Sequence, residues 1–355
     1  MKVLLATSLH GGGPVEHALT LAGALAAAGV EVEASCGDTE LAERFAAAGA
    51  TPHVLPLERT VDPAGARKLA ELARGVDVVH AQDRRTGLLT RLWRPDGTPR
   101  VYTVHGLPDP YLPIPANAGR RPGLRNQLAY RGLDAWLARR SDAVVVASQA
   151  LAEQLRRRLG FPAERMEVIP NGVEPVEPTT GGDLVASISM LEPVKGLDAF
   201  VRAAAAIKNS GDSGGARFEI FGSGPAAAEL RELAEGLGAP VAFPGHVPAP
   251  EVLPQLRIFV LTSWFENCPM ALLEAMMAGV PAVVTAVGGV PELVADTALV
   301  VPPGEPDALA DALRRLLEDT ALAADLGARA RARALTEFTA ERNARSMINL
   351  YTRII

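Results

Sequence analysis

The sequence predicts an α/β protein of two doubly wound domains, each built around a parallel sheet. Short apolar runs that end in glycine or polar turns alternate with Ala- and Leu-rich helical patterns, which is typical of βαβ units. This alternation occurs twice, before and after the Pro-, Gly- and acid-rich stretch VEPVEPTTGGD at 173–183. A chain of 355 residues is also too long for one ordinary core. We therefore expect domains at 1–172 and 173–339.

The predicted elements follow that alternation in order. In the first domain we predict a helix near 15–28 and strands near 2–7, 31–36, 76–80, 101–104 and 143–147. In the second we predict strands near 184–189, 217–221, 241–243, 258–261, 282–285 and 298–301, and helices near 196–208, 225–236, 269–278, 290–295 and 306–317. Ligands bind such sheets at the carboxyl ends of strands, beside helix N-termini. Functional residues are therefore expected in those turns.

Composition narrows the classes of function. The net charge is −6 and no pattern of aromatic and basic residues occurs, so nucleic-acid binding is not expected. Cys36 and Cys268 are far apart and form no CxxC or His/Cys cluster, so neither a disulfide framework nor a metal site is expected. No apolar run approaches the roughly 20 residues of a membrane span. We expect a cytoplasmic protein without a resident cofactor.

The first glycine-rich turn, SLHGGGPVEH at 8–17, follows the first strand and opens a helix. Gly12 and Gly13 let the backbone approach a ligand closely, and Pro14 suits the start of a helix. A dinucleotide-binding fingerprint would place Gly or Ala where Glu16 stands, so an NAD site is poorly matched. A tight turn without a ligand is the alternative.

A histidine follows a predicted central strand of the first domain. His105 lies in YTVHGLP, where Gly106 and Pro108 turn the chain out of the sheet. Its side chain is thus delivered to the sheet edge, where catalytic and substrate-contacting groups are common. His80 has a similar position one strand earlier. A hydrogen-bonded structural histidine is the alternative at both positions.

The second domain has several turns of the same kind. In SISMLEPVKGLDAF, at 187–200, Lys195 precedes a helix, where a cation opposes the helix dipole unless an anion is shared with it. This conflict favours Lys195 as a phosphate ligand. Further glycine-bearing turns are FGSGP with Gly222, FPGHV with Val247, and VGGVPE at 287–292. Together these turns predict a nucleoside-diphosphate pocket at one edge of the second sheet.

The stretch FENCPMALLEA, at 265–275, places two glutamates around the start of a helix. If Pro269 is the first helical residue, Glu266 lies before the helix and Glu274 within it. Glu266 then lies beside the N–H groups of residues such as Met270, where the helix dipole favours an anion or a polar ligand. The alternative is an N-terminal acid that suits the dipole, followed by an ordinary helical glutamate.

In these motifs and in their order, the chain resembles the retaining glycosyltransferases of family 4 across essentially its whole length. Glu266 to Glu274 matches the family's E-x7-E motif, and LLEAMMAGVPAVVTAVGGVPELV is similar to its most recognisable stretch. IPNGV, the Lys195-Gly196 pair, GSGP and the N-terminal GGG also occur in family order. The resemblance implies the GT-B fold, which has two Rossmann-like domains facing across a cleft. It also implies a C-terminal helix at 340–355 that packs back on the first domain.

The resemblance further implies roles for individual residues. The first domain would bind the acceptor and the second the nucleotide-sugar donor. His105 would contact the donor sugar and stabilise charge, Lys195 would bind the donor phosphates, and Glu266 would lie at the donor sugar as a third catalytic residue. Glu274 would hold the ribose. The implied substrate-binding residues are Gly12, Gly13, Met190, Gly222, Val247, Asn267, Cys268, Pro269, Met270, Ala271 and Glu274.

One position departs from the family pattern. The family usually has Gly-Arg-Leu before the Lys-Gly pair, whereas this chain has Ser189-Met190-Leu191. Methionine carries no charge and donates no hydrogen bond, so one phosphate contact of roughly 1.5 to 3 kcal/mol is missing. We expect slower departure of the leaving group with donor binding retained.

The sequence therefore predicts a retaining transferase. It would move a hexose-type sugar from a UDP- or GDP-sugar to a hydroxyl of a lipid-linked, glycan or small-molecule acceptor. Lys195 and helix amides would assist the leaving phosphate in place of a metal ion. The alternatives are a nucleotide-sugar epimerase or hydrolase, a degenerate donor-binding protein and, most weakly, an NAD-dependent oxidoreductase.

Arginines crowd the first domain, and two interpretations remain. They would attract an anionic bilayer and hold the protein peripherally at the inner face of the membrane. Alternatively, a helix packs an apolar stripe on its own sheet while the arginines are solvated, which we favour. The stripe includes Leu128, Leu133, Trp136 and Leu137. The arginines are Arg84, Arg85, Arg91, Arg94, Arg100, Arg120, Arg121, Arg125, Arg131, Arg139 and Arg140.

Overall fold

The structure of the chain, a computed structural model, contains two compact units. It describes residues 1–57, 62–92, 97–108, 111–115, 123–179, 181–211 and 214–355. The N-terminal unit lies within Met1–Tyr111, Arg120–Glu174 and Thr339–Ile355. The C-terminal unit lies within Leu112–Gly119 and Pro175–Phe338.

The N-terminal unit is built around a seven-stranded parallel sheet in the order β3-β2-β1-β4-β5-β6-β7. Strands β4, β5 and β6 are buried along their whole length, as expected of strands covered on both faces. The strands are β1 (Lys2–Ala6), β2 (Glu31–Cys36), β3 (Thr51–Val54), β4 (Val78–Ala81), β5 (Arg100–Val104), β6 (Ala143–Val146) and β7 (Met166–Val168).

Two strands of this sheet, β3 and β7, were not predicted from the sequence. β3 reads TPHV and is only partly buried, and β7 has just three residues. Both form edges of the sheet. Edge strands lack the continuous apolar run that marks the inner strands, so the sequence pattern is weak there.

The helices of the N-terminal unit begin where the sequence supplies local signals. Helix α1 starts at Gly13 with Pro14 in its first turn, while Asp38 and Asp62 cap α2 and α3 by accepting hydrogen bonds from backbone N–H groups. The helices are α1 (Gly13–Ala27), α2 (Thr39–Ala47), α3 (Pro63–Ala73), α4 (Arg84–Leu92), α5 (Leu124–Gln127), α6 (Ala135–Arg139) and α7 (Gln149–Gln154). π-Helical turns at Leu128–Asp134 and Leu155–Leu159 follow α5 and α7, and a 3₁₀ turn spans Ala163–Arg165.

The C-terminal helix, Ala340–Ile354, is also part of the N-terminal unit, where it packs against α1. Thr339, just before this helix, pairs with Val173 in an isolated parallel bridge. Met347 and Tyr351 are fully buried in the same core as α1. The Tyr351 hydroxyl lies 2.6 Å from Nδ1 of His80 on β4. The last turns of the chain therefore complete the first core.

The C-terminal unit is built around a six-stranded parallel sheet in the order β10-β9-β8-β11-β12-β13. The strands are β8 (Leu184–Ile188), β9 (Arg217–Phe221), β10 (Val241–Gly245), β11 (Leu256–Leu261), β12 (Ala282–Thr285) and β13 (Leu299–Val301). All six were predicted, because each is an apolar run that stops at a glycine or a polar turn.

The helices of the C-terminal unit are α8 (Leu197–Ser210), α9 (Ala227–Leu237), α10 (Ala249–Val252), α11 (Met270–Met277), α12 (Val290–Val294), α13 (Pro306–Glu318) and α14 (Thr320–Glu337). We label the C-terminal helix α15. Short 3₁₀ turns span Pro193–Lys195 and Leu253–Gln255. Helix α14 was not predicted. Apart from Leu326, its buried face holds only Gly327, Ala330 and Ala334, which are too small to give a clear apolar stripe.

Strand order reverses once in each sheet. In the first sheet the chain runs outward from β1 to β3 and then returns to place β4 on the other side of β1. In the second sheet β11 returns to the other side of β8 in the same way. Loops leave such a pair of strands in opposite directions, so a crevice opens at their carboxyl ends. The strand order thus predicts a ligand-binding position at the carboxyl ends of β1 and β4 and of β8 and β11.

Burial corrects the interpretation in which the apolar stripe packs on the sheet while the arginines are solvated. Arg91 and Arg100 are buried, and Arg100 Nε donates to the Thr90 carbonyl at 3.2 Å, so neither is solvated. Leu128 is 66% exposed and does not pack on the sheet, whereas Leu137 is fully buried. Three of the arginines lie outside the described residues, namely Arg94, Arg120 and Arg121. Among the helices that are described, none is long and apolar enough to cross a membrane.

We predict that Tyr351→Phe destabilises the N-terminal unit by about 1–3 kcal/mol, because it leaves Nδ1 of the fully buried His80 without its partner. Thermal unfolding would report this as a fall in Tm of several degrees. Thr352→Val is the matched control, since within the described structure the Thr352 hydroxyl bonds only the Ile348 carbonyl, on the exposed side of the same helix. Equal effects of the two substitutions would contradict the buried contact.

Candidate active site

Two turns meet at the strand-order reversal of the second sheet. After β8 the chain continues through Ser189 and Met190 to the 3₁₀ turn Pro193–Lys195. After β11 it continues through Thr262 and Ser263 to Glu266. Because β8 and β11 are parallel neighbours, both turns leave the same edge of the sheet. Side chains from either turn can therefore reach one another.

An ion pair joins the two turns. Lys195 Nζ lies 2.6 Å from Oε1 of Glu266, and the Ser263 hydroxyl donates to the same carboxylate oxygen at 2.9 Å. The side chains of Lys195 and Glu266 are only 21% and 11% exposed. Taking both charges largely out of water costs free energy, which is recovered only with good geometry and further hydrogen bonds. The pair is thus held in place by burial and by a further hydrogen bond, unlike a solvated ion pair on the surface.

Backbone contacts brace the turn that carries Lys195 against the turn after β11. The Thr262 hydroxyl donates to the Lys195 carbonyl at 2.9 Å, and the Trp264 N–H donates to the Val194 carbonyl at 2.8 Å. Gly196 has φ 56°, and a Cβ there would lie 2.4 Å from the Thr262 carbonyl oxygen. Only glycine allows this approach. The Lys-Gly pair is therefore fixed by packing at the glycine and by charge at the lysine.

The loop after β12 holds Glu266 from the other side. The Gly289 N–H donates to the Glu266 carbonyl at 3.0 Å, and the Thr285 hydroxyl donates to the Ser263 carbonyl at 2.7 Å. At Gly288, with φ 50°, a Cβ would lie 1.7 Å from the Glu266 carbonyl oxygen. Close packing against the Glu266 backbone thus requires glycine at position 288 of the VGGVPE turn.

Helix α11 begins directly after these turns. It starts at Met270, so the expectation that Pro269 is the first helical residue is wrong by one position; Pro269 has ψ 123° and caps the helix. An extended ψ lets the chain turn into the helix after the buried Asn267 and Cys268. The first intrahelical donor is Leu273, to the Pro269 carbonyl at 3.2 Å. The N–H groups of Met270 and Ala271 therefore point out of the helix N-terminus.

The remaining predicted residues of this unit lie at the carboxyl ends of neighbouring strands. Met190 follows β8 and is 46% exposed, so its side chain borders solvent. Gly222 follows β9, and its N–H donates to the Gly245 carbonyl at 2.8 Å. Val247 follows β10 and is half-buried, while Glu274 is half-buried one turn into α11. All four lie at the same edge of the sheet as the Lys195–Glu266 pair.

The sequence does not show which residue forms an ion pair with Lys195. A lysine before a helix predicted a shared anion, and the structure supplies one within the protein, the carboxylate of Glu266. The two residues are 71 positions apart in the chain. Lys195 and Glu266 each follow one of two adjacent strands at the strand-order reversal. This proximity can be predicted only when the strand order is known.

The N-terminal unit holds the other predicted residues. Gly12 has φ 83° and accepts hydrogen bonds from the N–H groups of Val15 and Glu16 at 3.0 and 3.1 Å, which starts α1. A Cβ at Gly13 would meet no atom within 4 Å. Packing of the unit itself therefore does not demand glycine at position 13.

His105 is half-buried and lies beside the buried His17. Its ring stands edge-on to that of His17, with centroids 5.5 Å apart, and it bonds to the backbone of Gln82. His80 is held by Tyr351 and by the Thr103 hydroxyl, each at 2.6 Å. Burial lowers the pKa of His105 to about 4 and the pKa values of His17 and His80 to about 3. All three rings are therefore uncharged at neutral pH.

Comparison with known proteins identifies two domain families in the chain. Residues 11–177 match the model described as Glycosyltransferase Family 4, and residues 182–319 match Glycosyl transferases group 1. The exopolysaccharide phosphotransferase of Streptomyces coelicolor is 33% identical over 225 residues, 60% of this chain and 24% of that protein. The 2-deoxystreptamine glucosyltransferase of Streptomyces kanamyceticus is 27% identical over 213 residues, 53% of this chain and 54% of that protein. The chain thus spans about a quarter and about half of these two relatives.

Comparison with solved structures confirms the predicted GT-B fold. The crystal structure of Anabaena HepE in complex with UDP-glucose has a TM-score of 0.82 and 20% sequence identity, covering 99% of this chain and all of that one. The sucrose-phosphate synthase of Thermosynechococcus elongatus has a TM-score of 0.79 and 22% identity, covering 99% and 98%. At such identities the similarity establishes the fold alone.

The Lys195–Glu266 pair is expected to show energetic coupling of about 1–3 kcal/mol in a double-mutant cycle of Lys195→Met and Glu266→Gln, because each charge is largely buried with the other. Urea unfolding followed by tryptophan fluorescence would measure it. The exposed Arg329–Asp325 pair, at 3.2 Å, is the control and should couple by less than about 0.5 kcal/mol. Coupling no larger than in the control would mean that the contact does not form in solution.

Proposed function

Because the chain belongs to the group 1 glycosyltransferases of family 4, we propose that it moves a hexose-type sugar from a nucleoside-diphosphate donor to a hydroxyl acceptor, with retention of the anomeric configuration. The observation that carries this proposal is the 2.6 Å contact between Lys195 and Glu266 beside the N-terminus of α11. A cation, a carboxylate and helix N–H groups at one crevice fit the phosphates and hydroxyls of a nucleotide sugar.

Lys195 and α11 would stabilise the departing diphosphate. A lysine ammonium has three donors, of which Glu266 takes one, so the others remain for phosphate oxygens. The N–H groups of Met270 and Ala271 and the positive end of the helix dipole add to this. Negative charge on the leaving group grows as the bond to the anomeric carbon breaks. These groups would therefore bind the transition state more strongly than the ground state.

Glu266 would bind hydroxyls of the donor sugar. Ser263 and Lys195 fix one of its carboxylate oxygens, which orients the other toward a ligand. Glu274, one turn into α11, would hold the ribose hydroxyls. The residues that would line the rest of the donor site are Met190, Gly222, Val247, Asn267, Cys268 and Pro269.

His105, Gly12 and Gly13 would act from the N-terminal unit, which would bind the acceptor. The lowered pKa of His105 means that its ring would contact the sugar as a neutral hydrogen-bonding group, without a formal positive charge. The open space beside Gly13 would let backbone approach the sugar.

UDP is the donor nucleotide that we propose first. HepE, which shares the fold, was solved with UDP-glucose, and the matched relative from S. kanamyceticus is named a glucosyltransferase. GDP remains the second candidate. The acceptor would carry the hydroxyl on a glycan, a lipid-linked sugar or a small metabolite.

Other enzymes on this fold are less well supported. An epimerase or hydrolase needs a base that takes a proton near neutral pH, and a histidine whose pKa is about 4 is a weak one. A protein that binds the donor without transferring it would be explained by Met190, which supplies no phosphate contact. Product formation separates these possibilities.

We also propose that the protein works in the cytoplasm and contacts the membrane peripherally. Two leucines of the N-terminal unit are strongly exposed, Leu124 at 73% and Leu128 at 66%, and the exposed Arg125 and Arg131 lie on the same short segment. Apolar and cationic side chains together favour anionic lipid surfaces. Such a contact would suit a lipid-linked acceptor.

Thermal unfolding with UDP, GDP, ADP and NAD⁺ tests the donor proposal. We expect one nucleoside diphosphate, at 100 times its Kd, to stabilise the protein by about 2.7 kcal/mol. Glu274→Ala should remove most of this stabilisation, because the ribose hydroxyls lose their acceptor. Glu232→Ala, an exposed glutamate on α9, is the matched control and should respond like the natural chain. A response to NAD⁺ alone would overturn the proposal.

Met190→Arg is expected to tighten UDP binding about tenfold. It adds a guanidinium at the carboxyl end of β8, where a charge-assisted contact is worth roughly 1.5–3 kcal/mol when it is buried. Because position 190 is half-exposed, solvent screening reduces this to about 1.4 kcal/mol, which corresponds to a tenfold change in Kd. Titration calorimetry would measure the change, with Met190→Leu as the uncharged control. Equal affinities of the two variants would show that position 190 does not reach the phosphates.

A further inference from the structure

A cavity of about 250 Å³ lies at the strand-order reversal of the first sheet. Leu9 and Pro14 border it after β1, Gln82 and Asp83 after β4, and His105 after β5. It is therefore the first unit's counterpart of the crevice that holds Lys195 in the second. Doubly wound sheets bind ligands at this place.

Gln82 is the unexplained group in this cavity. Its side chain is fully buried, and neither Oε1 nor Nε2 has a hydrogen-bond partner among the described residues. A buried carboxamide that bonds nothing destabilises the fold, so such groups in native proteins call for an explanation. The backbone of Gln82 does form hydrogen bonds. Its N–H donates to the Ala6 carbonyl at 2.8 Å, and the His105 ring bonds to the Gln82 backbone. The buried side chain thus supplies a polar group to the cavity lining.

The charges that line the cavity are already committed. The Asp83 carboxylate accepts from the N–H and hydroxyl of Ser8 at 2.6 and 2.9 Å and from the Thr86 N–H at 3.0 Å. Arg84, the one arginine among the described lining residues, pairs with Asp134 and also donates to the Ala129 carbonyl at 3.2 Å. His105 is uncharged at neutral pH. Among the residues that the structure describes, the lining therefore offers no uncommitted cation for a phosphate or carboxylate.

The lining also includes the apolar side chains of Leu107, Leu155, Leu159 and Phe161. A cavity lined by a carboxamide and by apolar side chains matches a molecule that carries both hydroxyls and C–H groups. Vicinal hydroxyls both donate and accept, as a carboxamide does, so one such pair can satisfy both ends of Gln82.

We propose that this cavity binds the acceptor through an uncharged, polyhydroxylated ring the size of one sugar or cyclitol, with the Gln82 carboxamide as its main hydrogen-bonding partner. This assignment rests on the proposed function for the identity of the ligand as acceptor. The volume equals that of about eight water molecules at ~30 Å³ each, and it falls below the roughly 300–1,000 Å³ of drug-sized sites. One ring fits, and the rest of an acceptor extends outside. An acceptor with a phosphate or carboxylate on that ring is selected against.

The experiment measures binding without catalysis. Saturation-transfer NMR would follow the methyl glycosides of glucose, galactose and mannose, and myo-inositol, against glucose 6-phosphate and glucuronate. We expect at least one neutral ring to bind at least tenfold more tightly than the two anions. This comparison needs no substitution in the protein.

Gln82→Met keeps the length of the side chain and removes its polar atoms. We expect it to weaken ring binding at least tenfold while Tm stays equal or rises, since a buried group without partners is replaced by an apolar one. Gln154→Met is the matched control, because Gln154 also has a buried Oε1 without a partner in the described structure but does not line the cavity. It should bind the ring like the natural chain.

Several results would overturn the assignment. These are anions that bind as well as neutral rings, no ring binding at all, or unchanged binding in Gln82→Met. Stabilisation by UDP, measured in parallel, keeps the two proposals separate. If UDP binds and the rings do not, only the acceptor assignment fails. If rings bind through Gln82 and no nucleotide binds, the donor proposal fails instead.

Discussion

The ion pair between Lys195 and Glu266 is the interaction on which the proposed donor site depends. It joins two turns that are far apart in the chain, and the backbone around it is shaped to hold it. Gly196 and Gly288 bring neighbouring carbonyl groups closer than any side chain would allow. Ser263 adds the hydrogen bond that a largely buried carboxylate needs. Without a ligand the two charges neutralise each other, so the site keeps a cation at a helix N-terminus without destabilising the fold.

The two units use the same place in the sheet for different chemistry. In the C-terminal unit the crevice at β8 and β11 presents a charged pair and helix N–H groups, which suit an anionic diphosphate. In the N-terminal unit the crevice at β1 and β4 presents the neutral His105, the Gln82 carboxamide and apolar side chains, and its charged side chains already bond within the protein. The physical cause is burial. Burial lowers the pKa values of His17 and His80 to about 3, so both rings are neutral at pH 7.

Much of this could be predicted from the sequence, and the failures have physical reasons. All six strands of the second sheet follow from apolar runs that stop at glycine or polar turns. Strands β3 and β7 did not, because edge strands are only partly buried. Leu128 and Arg100 were assigned to the wrong environments, one exposed and the other buried, because apolar periodicity alone does not say which face finds a neighbour. Gln82 is not among the residues that the sequence predicts to be functional, because a single glutamine forms no sequence pattern.

The sequence by itself determined the fold class, the family resemblance and the turns where function is expected, because strand runs, helix starts and glycine turns are local properties of the chain. Only the tertiary structure decided which of those turns meet. The order of strands in each sheet placed Lys195 against Glu266 and gathered Gln82, His105 and Asp83 around one cavity. Strand order is fixed by contacts between residues distant in the chain, and no local signal records them.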